Sequence, residues 1–310
     1  MFPGCVIGVL QNGTSQVFPF GHFTYDEDSP LVENDTFYDL ASITKSIPLA
    51  SLAAIFIAEG KLQLSDKVRM YIPELRNDYD ATIEDLLRYR VKGPRMSVLA
   101  FRTFEQIRTH IFERGFDGPP GKSEYSNLPA YVLGVVLERV GEASLAKLGH
   151  RYMFEPLAMA QTTFFPSASS CVPTEIQNGT IVQGIVHDES ARLFVKARRS
   201  VGHAGLFSSS GDLLKFANAL LQGKFPAVVE SAQKGLGWTV DQAWFMGTHV
   251  SKGTFGKTGF TGTSIVIDPT KKKALVILSN RTYPARPVDA TSLTSAVNIF
   301  RRDVADIVFG

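Results

Sequence analysis

The sequence predicts an α+β fold, in which an antiparallel β-sheet flanked by helices packs beside a mostly helical lobe. Strand-like segments with short turns lie at both ends of the chain, within 1–59 and 235–310, whereas 60–234 is mostly helix and loop. The 310 residues, 44% of them hydrophobic, can bury a large core. We therefore expect one domain, 1–310, made of these two lobes, with a functional site between them.

The strands of the predicted sheet come from the two ends of the chain. Near the N-terminus, Asn12-Gly13 separates two apolar segments and is typical of a tight hairpin turn. After Gly235, short apolar segments alternate with turns, and the basic run Lys271-Lys272-Lys273 is interpreted as one solvated turn. The expected strands are 6–10, 16–20, 238–240, 245–247, 253–257, 264–268 and 274–279.

The helices follow from apolar periodicity and from their start signals. The first begins at Ser42 and continues through an apolar stretch to residue 58. Pro48 lies inside it and removes a backbone hydrogen bond, so its first turn should be kinked or partly 3₁₀. The segment 117–123 is rich in glycine and proline and should be a loop near the centre. Further helices are expected at 82–89, 128–140, 210–221 and 291–308.

Composition excludes several classes of partner. The formal net charge is +2 and the basic residues are scattered, so neither nucleic acid nor an acidic membrane surface is expected to bind. No apolar run in the sequence reaches the length of a membrane span. The N-terminus lacks the regions of a signal peptide, so we expect a cytoplasmic protein, or a periplasmic or extracellular one if a leader was trimmed. The oligomeric state is left open.

No metal or other cofactor is expected from the sequence. Cys5 and Cys171 lie far apart and match no metal or redox spacing, so both are expected to be reduced core residues. The six histidines form no His-Glu-x-x-His pattern, which gives no support to a metallohydrolase.

The pattern Ser42-Ile43-Thr44-Lys45 can form an acylating nucleophile without histidine. Residues i and i+3 share one face of a helix, so the Lys45 amine can approach the Ser42 hydroxyl and take its proton. The same pattern occurs at Ser144-Leu145-Ala146-Lys147 and at Ser231-Ala232-Gln233-Lys234. Neighbouring motifs must therefore decide which of the three is functional.

Two further motifs follow Ser42 in the chain. In Tyr125-Ser126-Asn127, residues i and i+2 project to the same side of an extended segment, so Tyr125 and Asn127 can face a cleft together. Lys257-Thr258-Gly259 ends a predicted strand, where the lysine and the hydroxyl can bind a carboxylate and the glycine permits close backbone approach. Ser144 lies after the tyrosine motif, and Ser231 leaves no room for it before Lys257.

With these three motifs in this order, the chain resembles the serine β-lactamase and penicillin-binding protein superfamily. The resemblance is to the class C β-lactamase-like group, which includes D-alanyl-D-alanine carboxypeptidases, D-amino-acid peptidases and related esterases. It extends over essentially the whole chain and implies the β-lactamase/transpeptidase-like fold. Further similar segments are 60–73, 133–141, 154–157, 186–189, 202–207 and 256–269.

The resemblance implies a role for each motif residue. Ser42 would be the acylated nucleophile, Lys45 its activating partner, and Tyr125 the group that exchanges protons with Ser42 and the leaving group. Asn127 would help to hold Lys45 and the substrate amide. Lys257 would lower the pKa of Tyr125 and receive the substrate carboxylate, with Thr258 and Gly259 beside it. The backbone N–H groups of Ser42 and Phe260 would form the oxyanion hole.

The chain departs from the group's pattern in two places. Relatives usually begin with a helix packed on the sheet, whereas this chain begins at the first strand. After Leu86-Leu87, relatives commonly carry a His-Thr-Ser-Gly loop, but here Arg88-Tyr89-Arg90-Val91-Lys92-Gly93 follows. The second departure concerns the shape of the cleft.

These residues predict a serine hydrolase that acylates Ser42 and then transfers the acyl group to water. Lys257 favours small-molecule or peptide acyl donors with a carboxylate, such as β-lactams and D-alanyl peptides. No Gly-x-Ser-x-Gly elbow supports an α/β-hydrolase mechanism. Two alternatives stay open: a carboxylesterase of the same group, and a non-turnover penicillin-binding or regulatory module.

Overall fold

The structure is a computed structural model that describes residues 1–96, 100–289 and 292–310, and it confirms the α+β class. The strands are β1 Gly4–Gln11, β2 Thr14–Gly21, β3 Tyr38–Asp39, β4 Pro173–Gln177, β5 Thr180–Gln183, β6 Phe207–Ser208, β7 Thr239–Val240, β8 Phe255–Thr258, β9 Ser264–Asp268 and β10 Lys273–Ser279. The main sheet is antiparallel, in the order β2-β1-β10-β9-β8-β7. The two ends of the chain therefore meet inside this sheet, where β1 pairs with β10.

Most of the helices lie in the middle of the chain. They are α1 Ser51–Ala58, α2 Val68–Tyr71, α3 Ile83–Leu87, α4 Phe104–Arg114, α5 Leu128–Val140, α6 Leu145–Gly149, α7 Glu189–Lys196, α8 Ser210–Leu221, α9 Pro226–Gln233, α10 Ala243–Met246 and α11 Ala296–Phe309. The helices expected at 128–140 and 210–221 are confirmed to the residue. The last described helix begins at Ala296, and the expected start at Thr291 lies outside the described residues. The lobe boundaries near 60 and 235 stay a prediction.

Both faces of the main sheet are buried at strands β9 and β10, whereas the edge strand β2 is mostly exposed. Successive strand residues point to opposite faces, and in β10 Val276 belongs to the large core that includes Leu214 of α8, whereas Ile277 belongs to a smaller core that includes Phe309 of α11. Gly8 of β1 lies so close to α8 that a Cβ there would lie 2.1 Å from Ser210 Oγ. The sheet is thus held between α8 and α11.

The predicted N-terminal hairpin is confirmed, and a second hairpin was missed. Asn12 and Gly13 have φ of 50° and 79°, the left-handed values that a tight two-residue hairpin turn requires. Asn178 and Gly179 have φ of 49° and 75° and join β4 to β5 in a segment expected to be mostly helix and loop. Both hairpin turns contain the dipeptide Asn-Gly.

The strand predicted at 245–247 is wrong, because Ala243–Met246 forms the short helix α10. Phe245 and Met246 pack into the core with Phe309 of α11. A three-residue apolar segment fits either a strand or one helical turn, so this packing decides the outcome. Gly247, with φ of 79°, ends the helix.

The segment that begins at Ser42 is irregular, as the position of Pro48 predicts. A 3₁₀ turn covers Ala41–Lys45, Ile47 has extended backbone angles of −120° and 111°, and a π-helical turn leads into α1. Contrary to the sequence expectation, the helical stretch Ala41–Ala58 is long and apolar enough to cross a membrane. It is weak support for a span, because 78% of it is buried inside the protein, as in a core helix.

Candidate active site

The turn that carries Ser42 is fixed by its backbone. Ser42 directly follows Ala41, whose φ of 46° lies in the left-handed region. A non-glycine residue in that region costs about 1–2 kcal/mol. The buried Asp39 carboxylate accepts the Ala41 N–H at 2.8 Å and holds this conformation. Ser42 is therefore presented by a pre-set turn.

Lys45 reaches back to Ser42, as the i, i+3 spacing predicts. Its Nζ lies 3.0 Å from Ser42 Oγ and donates to the His203 carbonyl at 2.6 Å. Only 1% of Lys45 is exposed. A buried amine needs such partners, so they fix Nζ against the Ser42 hydroxyl. At this distance a proton can pass between the two groups.

Tyr125 is the third group of this cluster. Its hydroxyl faces Ser42 and Lys45, although 55% of the residue surface is exposed. The ring centroid lies 5.3 Å from Lys45 Nζ and 5.0 Å from Lys257 Nζ. Burial of the hydroxyl alone would raise the pKa of Tyr125, but the positive charges of Lys45 and Lys257 lower it below its ordinary value. The lowered pKa favours loss of the phenol proton, and the resulting phenolate oxygen can accept a proton.

Lys257 lies near the end of β8 and is 5% exposed. Burial lowers the pKa of its ammonium group and the charge of Lys45 adds to this effect, whereas Tyr125 opposes it. No carboxylate of a described residue contributes to the pKa of Lys257. Thr258 follows it and is half-buried. The site thus holds a buried cation beside Tyr125 that can receive an anionic group.

The end of β8 is joined to the segment before Ser42. Thr261 Oγ1 donates to the Asp39 carbonyl at 2.7 Å, and Thr263 Oγ1 donates to the Leu40 carbonyl at 3.1 Å. A Cβ at Gly259 would lie 2.4 Å from the Leu40 oxygen, so only glycine allows this approach. These contacts hold the segment that contains Phe260 against the residues that directly precede Ser42.

The resemblance assigns the oxyanion hole to two backbone N–H groups of these segments. Among the described residues, no acceptor takes the N–H of Ser42 or of Phe260. Arg281 Nε donates to the Phe260 carbonyl at 2.8 Å, and the buried Arg301 donates to the Gly259 carbonyl at 3.1 Å, so the second segment is held firmly. Such a pair can bind a developing oxyanion, and loss of one donor costs about 3 kcal/mol.

Asn127 reaches the cluster through Asp188. It precedes α5, and its side-chain amide donates to Asp188 Oδ2 at 3.0 Å. The resemblance implies that Asn127 helps to hold Lys45. In the described structure its amide is bonded to Asp188, and the His203 carbonyl holds Lys45.

Asp188, Ser190 and His203 form a network that the sequence analysis did not assign. Ser190 Oγ donates to Asp188 Oδ1 at 2.6 Å and lies 3.0 Å from His203 Nε2. Burial lowers the pKa of His203, so its ring is neutral, and the bond network assigns the proton to Nε2. Burial raises the pKa of Asp188, but hydrogen bonds from His203 and Ser190 keep it well below its usual range. Asp188 and His203 lie in the segments 186–189 and 202–207, whose sequences resemble the family. No motif spacing, however, links these segments to Ser42.

The other two Ser-x-x-Lys matches have structural surroundings. Ser144 Oγ caps α6 by accepting the Lys147 N–H at 3.4 Å. Ser231 lies inside α9, and Lys234 pairs with Glu230 at 2.6 Å. The structure therefore brings only the Ser42 pair to Tyr125 and Lys257.

A cavity of about 380 Å³ adjoins the cluster. It is lined by Arg88, Tyr89, Arg90, Ser123, Tyr125, Gly235, Trp238, Thr239 and Lys257. A larger cavity of about 490 Å³ lies among α4, α5 and α7 and contains none of the predicted site residues. Within the described ranges, no group of three His, Cys, Asp or Glu residues is placed to hold a metal ion.

Known proteins resemble this chain in sequence and in fold. A family model described as Beta-lactamase matches residues 1–298. The chain belongs to the β-lactamase family. An Escherichia coli K12 protein named "Putative D-alanyl-D-alanine carboxypeptidase" is 30% identical, over 82% of this chain and 70% of the relative. A protein of the same name from Salmonella agona is 28% identical, over 83% and 72% of the two chains.

Solved structures show that this β-lactamase-family chain has the β-lactamase/transpeptidase fold. A β-lactamase/D-alanine carboxypeptidase from Pseudomonas syringae superposes with a TM-score of 0.75 at 19% identity, covering 97% of this chain and 94% of the other. EstCE1, described as a hydrolase with promiscuous acyltransferase activity, gives a TM-score of 0.75 at 21% identity, with 98% and 94% coverage. The family, together with the carboxypeptidase-named relatives, makes this protein a serine hydrolase that acts on small-molecule or peptide substrates.

Proposed function

We propose that this serine hydrolase cleaves amide or ester bonds close to a carboxylate, as in D-alanyl peptides and β-lactams. The observation that carries the proposal is Lys257, a buried cation with no described carboxylate partner, 5.0 Å from the Tyr125 ring. A buried ammonium is costly unless an anion compensates it. A substrate carboxylate at Lys257 would place the neighbouring scissile bond near Ser42.

The distances and charges support the following roles in acylation. Ser42 Oγ attacks the substrate carbonyl carbon while its proton passes to the phenolate oxygen of Tyr125, with Lys45 Nζ donating a hydrogen bond to Ser42 Oγ. The N–H groups of Ser42 and Phe260 bind the oxyanion. When the bond to the leaving nitrogen or oxygen breaks, Tyr125 returns the proton to that atom.

Deacylation uses the same groups, but water is now the nucleophile and Ser42 is the leaving group. Tyr125 takes a proton from a water molecule, whose oxygen attacks the ester carbon on Ser42. The ester bond breaks, the proton returns to Ser42 Oγ, and the carboxylic acid product leaves. Asn127, held by Asp188, would orient the acyl amide.

A hydrolysis panel tests the proposal. Wild-type protein, Ser42→Ala and Ser144→Ala are compared on a chromogenic cephalosporin, a nitrophenyl ester and a D-alanyl-D-alanine peptide. We expect Ser42→Ala to lose at least about 10³-fold in kcat. Ser144→Ala, which changes a second serine of the same pattern, should stay within a few-fold of wild type.

Intact mass after exposure to a fluorescent penicillin follows the acyl-enzyme. A transient adduct that is absent in Ser42→Ala supports the proposal, whereas a persistent one indicates a binder without turnover. Cleavage of the ester alone would indicate a carboxylesterase and contradict the substrate class. No adduct and no hydrolysis of any substrate would refute the proposal.

A further inference from the structure

The loop that departs from the family pattern places Tyr89 against Lys257. The Tyr89 hydroxyl lies 3.4 Å from Lys257 Nζ. The same Nζ lies 5.1 Å from the centroid of the Tyr89 ring and 5.0 Å from that of Tyr125. The two ring centroids are themselves 5.1 Å apart. The ammonium group is therefore enclosed by two tyrosines, and one of them also offers it an oxygen.

The backbone of Tyr89 is held in an unfavourable conformation. Its φ is 55°, in the left-handed region, which costs a non-glycine residue about 1–2 kcal/mol. The Tyr89 carbonyl accepts the N–H of Glu124 at 2.8 Å, and the Arg90 carbonyl accepts that of Gly121 at 2.9 Å. These bonds tie the loop to the segment that leads into Tyr125. Strain kept in place by its surroundings is frequent at functional sites.

The two tyrosines differ in their protonation. Burial, together with the nearby Tyr125, raises the pKa of Tyr89 well above its usual value, so Tyr89 stays a neutral phenol. The two lysines lower the pKa of Tyr125, as described above. Neighbouring groups with opposite shifts commonly divide the tasks of a site. Lys257 donates to the Tyr89 oxygen, which leaves the Tyr89 proton available to another acceptor.

The other cations of this cavity are already paired. Arg88 Nε donates to Glu84 at 2.6 Å, and Arg90 lies 3.6 Å from Asp85. Lys257 has no such carboxylate among the described residues. An anion that enters the cavity therefore meets the Lys257 ammonium and the Tyr89 hydroxyl together.

We propose that Tyr89 is a specificity-determining residue, whose hydroxyl accepts from Lys257 and donates to the carboxylate of the substrate. The inference rests on the proposed function and deepens it. It assigns carboxylate recognition to a lysine–tyrosine pair, built by a loop in which this chain differs from the common pattern. Substrates without that carboxylate gain nothing from Tyr89.

The test uses two esters that share one acyl group. One has phenol as its leaving group and the other has 3-carboxyphenol, so only the carboxylate differs. Tyr89→Phe keeps the ring over Lys257 and removes only the hydroxyl. We expect kcat/KM for the carboxyphenyl ester to fall about tenfold or more, mainly through KM, because a hydrogen bond to a charged group is lost. The phenyl ester should stay within twofold.

A matched control is Tyr79→Phe. Tyr79 also has a left-handed backbone, with φ of 47°, but it is 45% exposed and does not line the cavity. It should leave both esters unchanged. Equal loss on both esters in Tyr89→Phe would show a merely structural role, and no loss on either would also overturn the inference. If the wild-type protein cleaves neither ester and Ser42 takes up no acyl group, the proposed function is refuted, together with the inference that rests on it.

Discussion

Gly259 follows β8 and lies against the backbone of Leu40, which precedes Ser42 in the chain. Its replacement by alanine tests whether this close contact is needed. An added Cβ would lie 2.1 Å from Thr263 Oγ1 and 2.4 Å from the Leu40 carbonyl oxygen. Non-bonded heavy atoms prefer about 3.5 Å or more, so the Leu40 carbonyl would have to move by about 1 Å. Leu40 is two residues before Ser42, and this movement would displace the nucleophile turn from Phe260.

The expected loss follows from that displacement. A misplacement of about 1 Å can cost 10²-fold in rate, so kcat/KM on a neutral nitrophenyl ester should fall about 100-fold in Gly259→Ala. Overpacking should also lower the free energy of unfolding by about 1–3 kcal/mol, measured by denaturant titration.

Gly118→Ala is the control. A Cβ at Gly118 meets no atom within 4 Å, so activity and stability should both be unchanged. If Gly259→Ala keeps activity within twofold of wild type and unfolds at the same denaturant concentration, the close approach of the two segments is not as described. If Gly118→Ala also lost activity, the loss in Gly259→Ala could not be attributed to the contact with Leu40.

Two further predictions concern charge and burial. In Lys257→Met, the pKa of Tyr125 should rise because one of the two cations that lower it is gone. The acidic limb of the pH profile of kcat/KM, measured on a neutral ester, should therefore move to higher pH. If that limb does not move, Tyr125 is not the base. Arg301→Met removes the charged donor from the buried Gly259 and Thr263 carbonyls, which then keep only one backbone N–H each, and should lower the free energy of unfolding by about 3 kcal/mol. The exposed Arg302→Met on the same helix should change it by less than about 0.5 kcal/mol, and equal losses would disprove the role of Arg301.

The sequence predicted best those elements whose signals are local. The Asn12-Gly13 hairpin and helix α5 each combine apolar periodicity with their own turn or start residues, and both appear where expected. Residues 245–247 fail because three apolar residues do not distinguish a strand from one helical turn, and contact with α11 selects the helix. The hairpin at Asn178-Gly179 had the right dipeptide but weaker flanking strands.

The site shows the same division between local and distant information. The spacing from Ser42 to Lys45 is local, and it predicted a contact that the structure contains. The bond from Lys45 to the His203 carbonyl joins residues 158 positions apart, and no pattern in one sequence shows it. The position of Tyr89 beside Lys257 depends on a strained loop and a strand 168 positions away, so only the folded chain reveals it.

Arg301 also has a consequence for the order in which the protein becomes active. Ser42, Lys45 and Tyr125 leave the ribosome early, but the guanidinium that holds the Gly259 and Thr263 carbonyls comes from the last described helix. A nascent chain that ends before this helix has its nucleophile but lacks the support of the opposing segment. We therefore expect hydrolytic competence to appear only after α11 has emerged and docked.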